Sequence, residues 1–201
     1  MQVYRAGVLT TLLYSSETWT TYSDQEKRLN TFHLRCLRRI LGIRRQDKIP
    51  NTDVLERAGL PSVFTLLSQR RLRWLGHIRR MDNGRIPKDI LYGELSESSR
   101  SRGRPKLRYK DTCKRDIKSA GIDIQSWGSL AETRDFWRTA VQGRTKQAER
   151  NRADCLKKKR VTRKCSSTDQ AATSHTCCQC DKDCHSRIGL HSHARRCCNQ
   201  N

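Results

Sequence analysis

The sequence predicts a mainly α-helical protein: a small basic helical body, a basic linker and a C-terminal ββα module of the zinc-finger kind. Three observations predict it. Apolar residues recur at helical spacing between glycine stops through residues 1–142. Cationic residues then replace the apolar face over the stalk and polar linker, 143–176, and cysteines and histidines crowd into residues 177–198.

Composition sets the outer bounds. Of 201 residues 34% are hydrophobic and 31% charged, and the formal net charge is +22 with a pI near 10.2. The core must be modest for the length, and so much positive charge repels itself unless a polyanion neutralises it. Nucleic acid (DNA, RNA or their hybrid) is the expected partner, with no small-molecule substrate. An anionic membrane surface is the rival, but no apolar run approaches the roughly 18 residues of a membrane span and no signal-peptide pattern opens the chain. Six of the ten cysteines lie in the tail; Cys36, Cys113, Cys155 and Cys165 are scattered and read as reduced, which implies an intracellular protein.

Gln2–Leu13 carries Val3, Tyr4, Val8, Leu9, Leu12 and Leu13 at a mixed helical spacing around Gly7, and Leu13–Trp19 reads as a turn. The uncapped start suggests a truncation. Ser23-Asp24-Gln25-Glu26 has the form of a capping box. It opens a helix with Leu29, Phe32, Cys36, Leu37 and Ile40 on one face and a stop at Gly42. Asn51-Thr52-Asp53 caps a short helix ending at Gly59. Ser62 opens a longer one, whose wide stripe takes in Val63, Phe64, Leu66, Leu67, Leu72, Trp74, Leu75, Ile78 and Met81. Arg85–Leu95 is mixed, and Ser96–Arg104 is an exposed Ser/Arg loop. Tyr109–Ala120 is a helix stopped by Gly121, with Cys113, Ile117 and Ala120 inward. Ile124–Val141 adds a second apolar cluster from Trp127, Leu130, Phe136 and Trp137. Beyond Gly143 the apolar face is lost: Lys146–Lys164 is a charged helix or a disordered run, and Ser166–Thr176 a polar linker.

Catalytic patterns are missing from the sequence. No two acidic residues are adjacent, whereas two-metal polymerases and nucleases need clustered carboxylates. There is no Walker-type phosphate loop and no G-x-S-x-G elbow, and His33 and His77 sit in basic helices without a carboxylate or nucleophile nearby in sequence. The chain is therefore expected not to be an enzyme.

The tail carries the sharpest chemistry. Cys177, Cys180, His193 and Cys197 follow the spacing C-x2-C-x12-H-x3-C, in which a tight knuckle supplies two thiolates and one helical turn supplies a His and a Cys. Four such donors close a tetrahedron around Zn²⁺. Cys184 and Leu190 fall at the apolar anchor positions of a ββα finger. Cys178, Cys184, His191 and Cys198 stand close enough to replace a member of the set, and a metal-free or disulfide-bonded tail is the alternative.

Three features suit nucleic acid. Arg102-Gly103-Arg104-Pro105-Lys106 has the form of an AT-hook core, in which Gly allows close approach to a narrow minor groove and Arg reaches into its negative potential; a basic loop making phosphate contacts is the alternative. Lys157-Lys158-Lys159-Arg160, followed by Arg163-Lys164, resembles a nuclear-localisation or phosphate-binding patch, with plain solvated charge as the alternative, and a nuclear location is expected. With Leu190 as helix anchor, the base-reading positions of the finger are Ser186, Gly189 and Ser192, none of which makes a bidentate contact to a base edge. Arg187, Arg195 and Arg196 remain able to grip phosphate.

Several stretches occur in one order: Tyr4-Arg5-Ala6, Leu12-Leu13-Tyr14, Ser16-Glu17-Thr18-Trp19, Arg35-Cys36-Leu37-Arg38-Arg39-Ile40-Leu41-Gly42-Ile43, Arg70-Arg71-Leu72-Arg73-Trp74-Leu75-Gly76-His77, Arg85-Ile86-Pro87-Lys88, Gly103-Arg104-Pro105 and the terminal knuckle. Together they resemble the region after the polymerase core in reverse transcriptases of non-LTR (LINE-type) retrotransposons, over nearly the whole chain except the basic linker. The resemblance implies a thumb and C-terminal region, the thumb holding template and primer and the knuckle assisting nucleic-acid binding. It places binding roles on body cations such as Arg70, Arg71 and Arg73, and on the four knuckle residues. The endonuclease and the palm with its Asp-Asp pair are missing, so no activity carries over. Ser15 stands where the family usually has Gly, as expected of a decaying copy. Two other functions fit the sequence: a host-used regulatory or architectural DNA-binding protein working through finger and hook, and a fragment without function.

Overall fold

The predicted helix stops at Gly42 and Gly121 fall where the sequence places them. In each, the isoleucine that follows turns its amide back into the helix, Ile43 to the Arg38 carbonyl at 2.9 Å and Ile122 to that of Ile117 at 3.1 Å. The computed structural model describes residues 1–93, 103, 105–169, 175–184 and 186–197, apart from the side chains of 164–169. It is mainly α-helical with one small two-stranded sheet near the C-terminus. Two compact units divide the chain, Met1–Ala153 and Asp154–Asn201.

In the first unit a π-helical segment, Tyr4–Leu9, runs into the short α1 (Thr10–Leu12); α2 (Ser23–Ile40), α3 (Asn51–Ala58) and α4 (Val63–Arg80) follow. Then come α5 (Ile86–Tyr92), α6 (Tyr109–Ser119), α7 (Trp127–Glu132) and the start of α8 (Arg134–Asp169). The apolar stripe of α4 is wide because it serves two cores. Val63 and Leu67 pack with Leu13, while Leu72, Leu75 and Ile78 join Leu91, Cys113, Ile117, Trp137 and Val141. A further cluster gathers Tyr4, Leu9, Leu34, Leu37, Val54 and Ala58.

Trp137 locks α8 onto α4. Its indole N–H donates to the Leu72 carbonyl at 2.8 Å, and its ring crosses α4 at Gly76, where an added Cβ would lie 2.2 Å from Nε1. Only glycine leaves room for that crossing. Trp19 and Trp74 are partly covered by the same packing.

The polar centre of the unit is Arg71, only 1% exposed. Its guanidinium donates to Asp116 on α6 (2.6 Å), to Glu26 on α2 (3.1 Å) and to the Thr21 hydroxyl (3.0 Å). The Thr21 hydroxyl donates a hydrogen bond to Glu26 at 2.7 Å, and Arg115 reaches the same carboxylate oxygen at 2.9 Å. Burial works against the Arg71 charge, but Asp116 and Glu26 outweigh it and hold the guanidinium pKa above its ordinary value. Three helices thus converge on one cation.

Several sequence expectations change here. Glu26 is engaged in this network, so the helix start is closed one residue earlier: the Tyr22 amide donates to the Gln25 side chain at 3.0 Å. Asn51 lies inside α3 and accepts from Arg38 at 2.8 Å instead of capping. Ser62 is the N-cap of α4, but the first free amides are satisfied from outside, Val63 by Asn30 (3.2 Å) and Ser62 by Glu149 (2.7 Å). Phe136 does not join the apolar cluster; it is 69% exposed, while its neighbour Trp137 turns inward.

Gly143 does not end α8. Past it, Thr145 and Glu149 hold α8 to the body by accepting hydrogen bonds from Gln69 and Ser62, and Arg152 lies 4.7 Å over the Phe64 ring. Polar contacts and a cation–π contact take over where the apolar face fails. Ser166–Asp169, expected in a linker, continue the helix.

The second unit holds the rest of α8, strands β1 (His175–Thr176) and β2 (Asp183–Cys184), and α9 (Arg187–Cys197). No helix among the described residues is long and apolar enough to cross a membrane.

Two outcomes follow from the body. Arg71→Ala leaves Asp116 and Glu26 buried with only the part-exposed Arg115 as a cationic neighbour and is expected to cost about 3 kcal/mol in urea unfolding followed by tryptophan fluorescence; a loss below about 1 kcal/mol would place the network at the level of a surface ion pair. Ser15 sits at φ 59°, the left-handed region that disfavours a side chain. Ser15→Gly is expected to raise stability by about 0.5–1 kcal/mol after the larger chain entropy of the unfolded state is subtracted, and a lower unfolding midpoint would contradict it.

Candidate metal centre and basic surfaces

A short hairpin and a helix build the candidate metal centre. β1 and β2 pair antiparallel, with His175 opposite Cys184 and Thr176 opposite Asp183. Cys177 and Cys180 occupy the turn between them. The Cys177 amide donates to the Lys182 carbonyl at 3.0 Å, the Asp181 amide returns to the Cys177 carbonyl at 2.9 Å, and Asp181 takes a positive φ of 51° to close the knuckle. Ser186 starts α9 by accepting the Gly189 amide on its hydroxyl at 3.1 Å. His193 and Cys197 then share one face of α9, four residues apart.

These elements bring Cys177, Cys180, His193 and Cys197 together, with one ligand atom from each lying within 4.8 Å of all the others. Zn–S bonds of about 2.3 Å in a tetrahedron put sulfurs about 3.8 Å apart, so the cluster is of the size zinc requires. His193 Nε2 lies 3.0 Å from the Cys180 sulfur. Backbone amides of Gln179 and Cys180 aimed at Cys177 hold its thiol below the ordinary pKa. Cys197 is pushed up to about 11, chiefly by its hydrogen bond to Cys180 and then by burial and the neighbouring sulfurs. Three thiols at this spacing cannot all ionise without a cation, which Zn²⁺ supplies. The residues fit the metal.

The other sequence candidates stand outside the cluster. Cys178 and His191 are exposed, Cys184 is half-buried, and Cys198 lies outside the described residues. Of the three base-reading positions, Ser186 is committed to its cap, Gly189 has no side chain and Ser192 is exposed. The capping role of Ser186 escaped the sequence reading, although a Ser three residues before a backbone amide at a helix start is its usual signature.

The expected phosphate contacts divide into groups. Arg71 is a correction: its donors are consumed inside the body, where phosphate does not reach. Arg70 is half-buried and donates to the Leu13 carbonyl at 2.8 Å, while Arg73 is exposed. Lys106 is exposed, whereas Arg102 and Arg104, the hook's two arginines, lie outside the described residues. Lys157, Lys158, Lys159 and Arg160 are all exposed on α8, as are Arg187, Arg195 and Arg196 on α9.

Two titratable groups of the body, His33 and Cys113, are buried in its packing. His33 is buried, its Nδ1 lies 2.9 Å from the Tyr4 hydroxyl, and burial lowers its pKa. Burial likewise pushes the Cys113 thiol up to about 12, which makes it a poor nucleophile.

The chain is similar to an uncharacterised transposon-derived protein of Caenorhabditis elegans, 26% identical over 152 residues. The match takes in 72% of this chain and 54% of the relative, so it spans about half the relative's length. No protein-family model matches the chain, and no solved structure matches it. The similarity points to an origin related to transposons.

The metal centre is testable directly. The full chain, dialysed against micromolar zinc, is expected to retain one zinc per molecule by atomic absorption, and Cys180→Ser to lose it. Apparent affinity is expected to fall as pH falls, because the thiols must shed protons to bind. Stoichiometric zinc in Cys180→Ser would shift the ligand set to a neighbouring cysteine.

Proposed function

We propose that this chain is a non-catalytic nucleic-acid-binding piece of a retrotransposon-type reverse transcriptase, gripping phosphates of template, primer or target DNA through exposed cations, with zinc folding its C-terminal module. The observation that carries the reading is the Cys177, Cys180, His193 and Cys197 cluster, set beside exposed arginines on α9 in a chain of net charge +22. Similarity to a transposon-derived protein supports an origin of that kind, and the resemblance of the body's sequence motifs to LINE-type elements supports the finer reading. A short metal-held module has little apolar core of its own, so bound zinc contributes folding energy of order 10 kcal/mol.

Binding in this reading is electrostatic. The finger has no side chain suited to bidentate base contact at its reading positions, so phosphates, not bases, supply the affinity. The protein takes no catalytic step; its work is to hold a nucleic acid, in the nucleus, for a partner that acts on it.

Fluorescence anisotropy of labelled duplexes across a salt series tests this. With six or more phosphates contacted, affinity is expected to weaken about a thousand-fold between 50 and 200 mM salt, with little difference between duplex sequences. A flat salt response, or a ten-fold or greater preference for one sequence, would contradict the proposal.

A further inference from the structure

The second half of α8 is unlike any other described helix of the protein. Every residue from Asp154 to Arg163 is exposed, so no apolar face of this stretch is packed against anything. After Asp154 there is no acidic residue up to Arg163, while Lys157, Lys158, Lys159 and Arg160 follow one another directly. At about 100° per residue, four consecutive cations cover about 300° of the helix circumference. The two larger apolar residues, Leu156 and Val161, are 50% and 61% exposed. They lie about 140° apart around the axis and form no stripe.

This geometry separates two kinds of polyanion. A helix lying on a membrane needs one apolar face to bury and one cationic face turned to the headgroups, and this stretch has neither. A helix with cations on all sides suits a site with negative charge on both flanks. The major groove of B-form DNA is such a site: about 12 Å wide, walled by two phosphate backbones, and matched to a helix of about 10–12 Å with its side chains. The major groove of an A-form duplex is too deep and narrow for the same helix.

Resting on the phosphate-binding reading above, and adding a substrate class to it, we propose that Asp154–Arg163 of α8 enters the major groove of B-form duplex DNA as a helix and grips phosphates of both strands. Like charges one turn apart, such as Lys157 with Arg160 and Lys159 with Arg163, weaken this helix in isolation. Phosphates on both walls remove that repulsion, so the DNA stabilises the helical form that it binds.

The test uses the zinc-loaded full chain with a 20-base-pair DNA duplex and an RNA duplex of the same sequence, by anisotropy across a salt series. Two variants separate charge from helix: K157Q/K158Q/K159Q/R160Q removes the cations and keeps the helix, whereas Val161→Pro breaks the helix and keeps every charge. The proposal expects at least ten-fold tighter binding of the DNA duplex by the unmodified chain. The Gln variant should lower the steepness of log K against log salt on DNA by about 3–4, matching the phosphates released. Val161→Pro should weaken DNA binding ten-fold or more with zinc content unchanged, and alter RNA binding little. Equal DNA binding by Val161→Pro and the unmodified chain would overturn this proposal alone, because the cations would then act as an unstructured tail and phosphate binding would stand. Equal affinity for the RNA duplex would also overturn it alone. Absence of salt-sensitive binding to either duplex would overturn it together with the broader function.

Discussion

The helical body depends on the Arg71 guanidinium. A chain with an excess of 22 positive charges nevertheless places one of them in its interior and surrounds it with Asp116, Glu26 and Thr21. Desolvating that cation is costly, and only the matched hydrogen bonds to two carboxylates offset it. The consequence is orientation: α2, α4 and α6 meet at one angle and one register, because the three donor directions of the guanidinium are fixed. Apolar packing on either side, from Leu67 to Ile78 along α4, then follows from where the network holds that helix. The few acidic residues near the centre thus serve internal structure, while Arg73, Lys106, Lys157, Lys158, Lys159 and Arg160 of α8 and the arginines of α9 stay exposed.

Much of the fold was legible because its signals are local. The glycine stops, Ser62 as a helix start, the inward set Cys113, Ile117 and Ala120, and the four clustered Cys and His residues each depend on spacing within one element. What was not legible depends on partners far away in sequence. Nothing near Arg71 distinguishes it from Arg70 or Arg73, and only the arrival of Glu26 and Asp116 decides which arginine turns inward. Phe136 and Trp137 are adjacent aromatic residues, and Gly76 alone, sixty residues earlier, opens the space that one of them fills. For Lys146–Lys164 the sequence left a charged helix and a disordered run equally open, since Glu149 and Arg152 dock through polar atoms that no hydrophobic pattern registers.

The metal module uses a different source of stability from the body. Its anchors, Cys184 and Leu190, are only half-buried, and the hairpin has two residues in each strand. A metal held by Cys177, Cys180, His193 and Cys197 would supply the stability that so small a core does not. In the body, Ser15 holds a left-handed backbone position that glycine adopts at lower cost. That strain sits in the turn between the first helix and α2, and the surrounding packing of Leu13 and Trp19 holds it in place.

The central claim is that exposed cations of a zinc-folded chain hold nucleic acid while the Arg71 core stays intact. Hydrogen exchange on the zinc-loaded chain, free and saturated with a DNA duplex, tests it most directly. The account predicts new protection along residues 154–163 of α8 and along α9, with the amides around Arg71 and Asp116 equally slow in both states. No change in protection at saturating duplex, or faster exchange around Arg71, would contradict it.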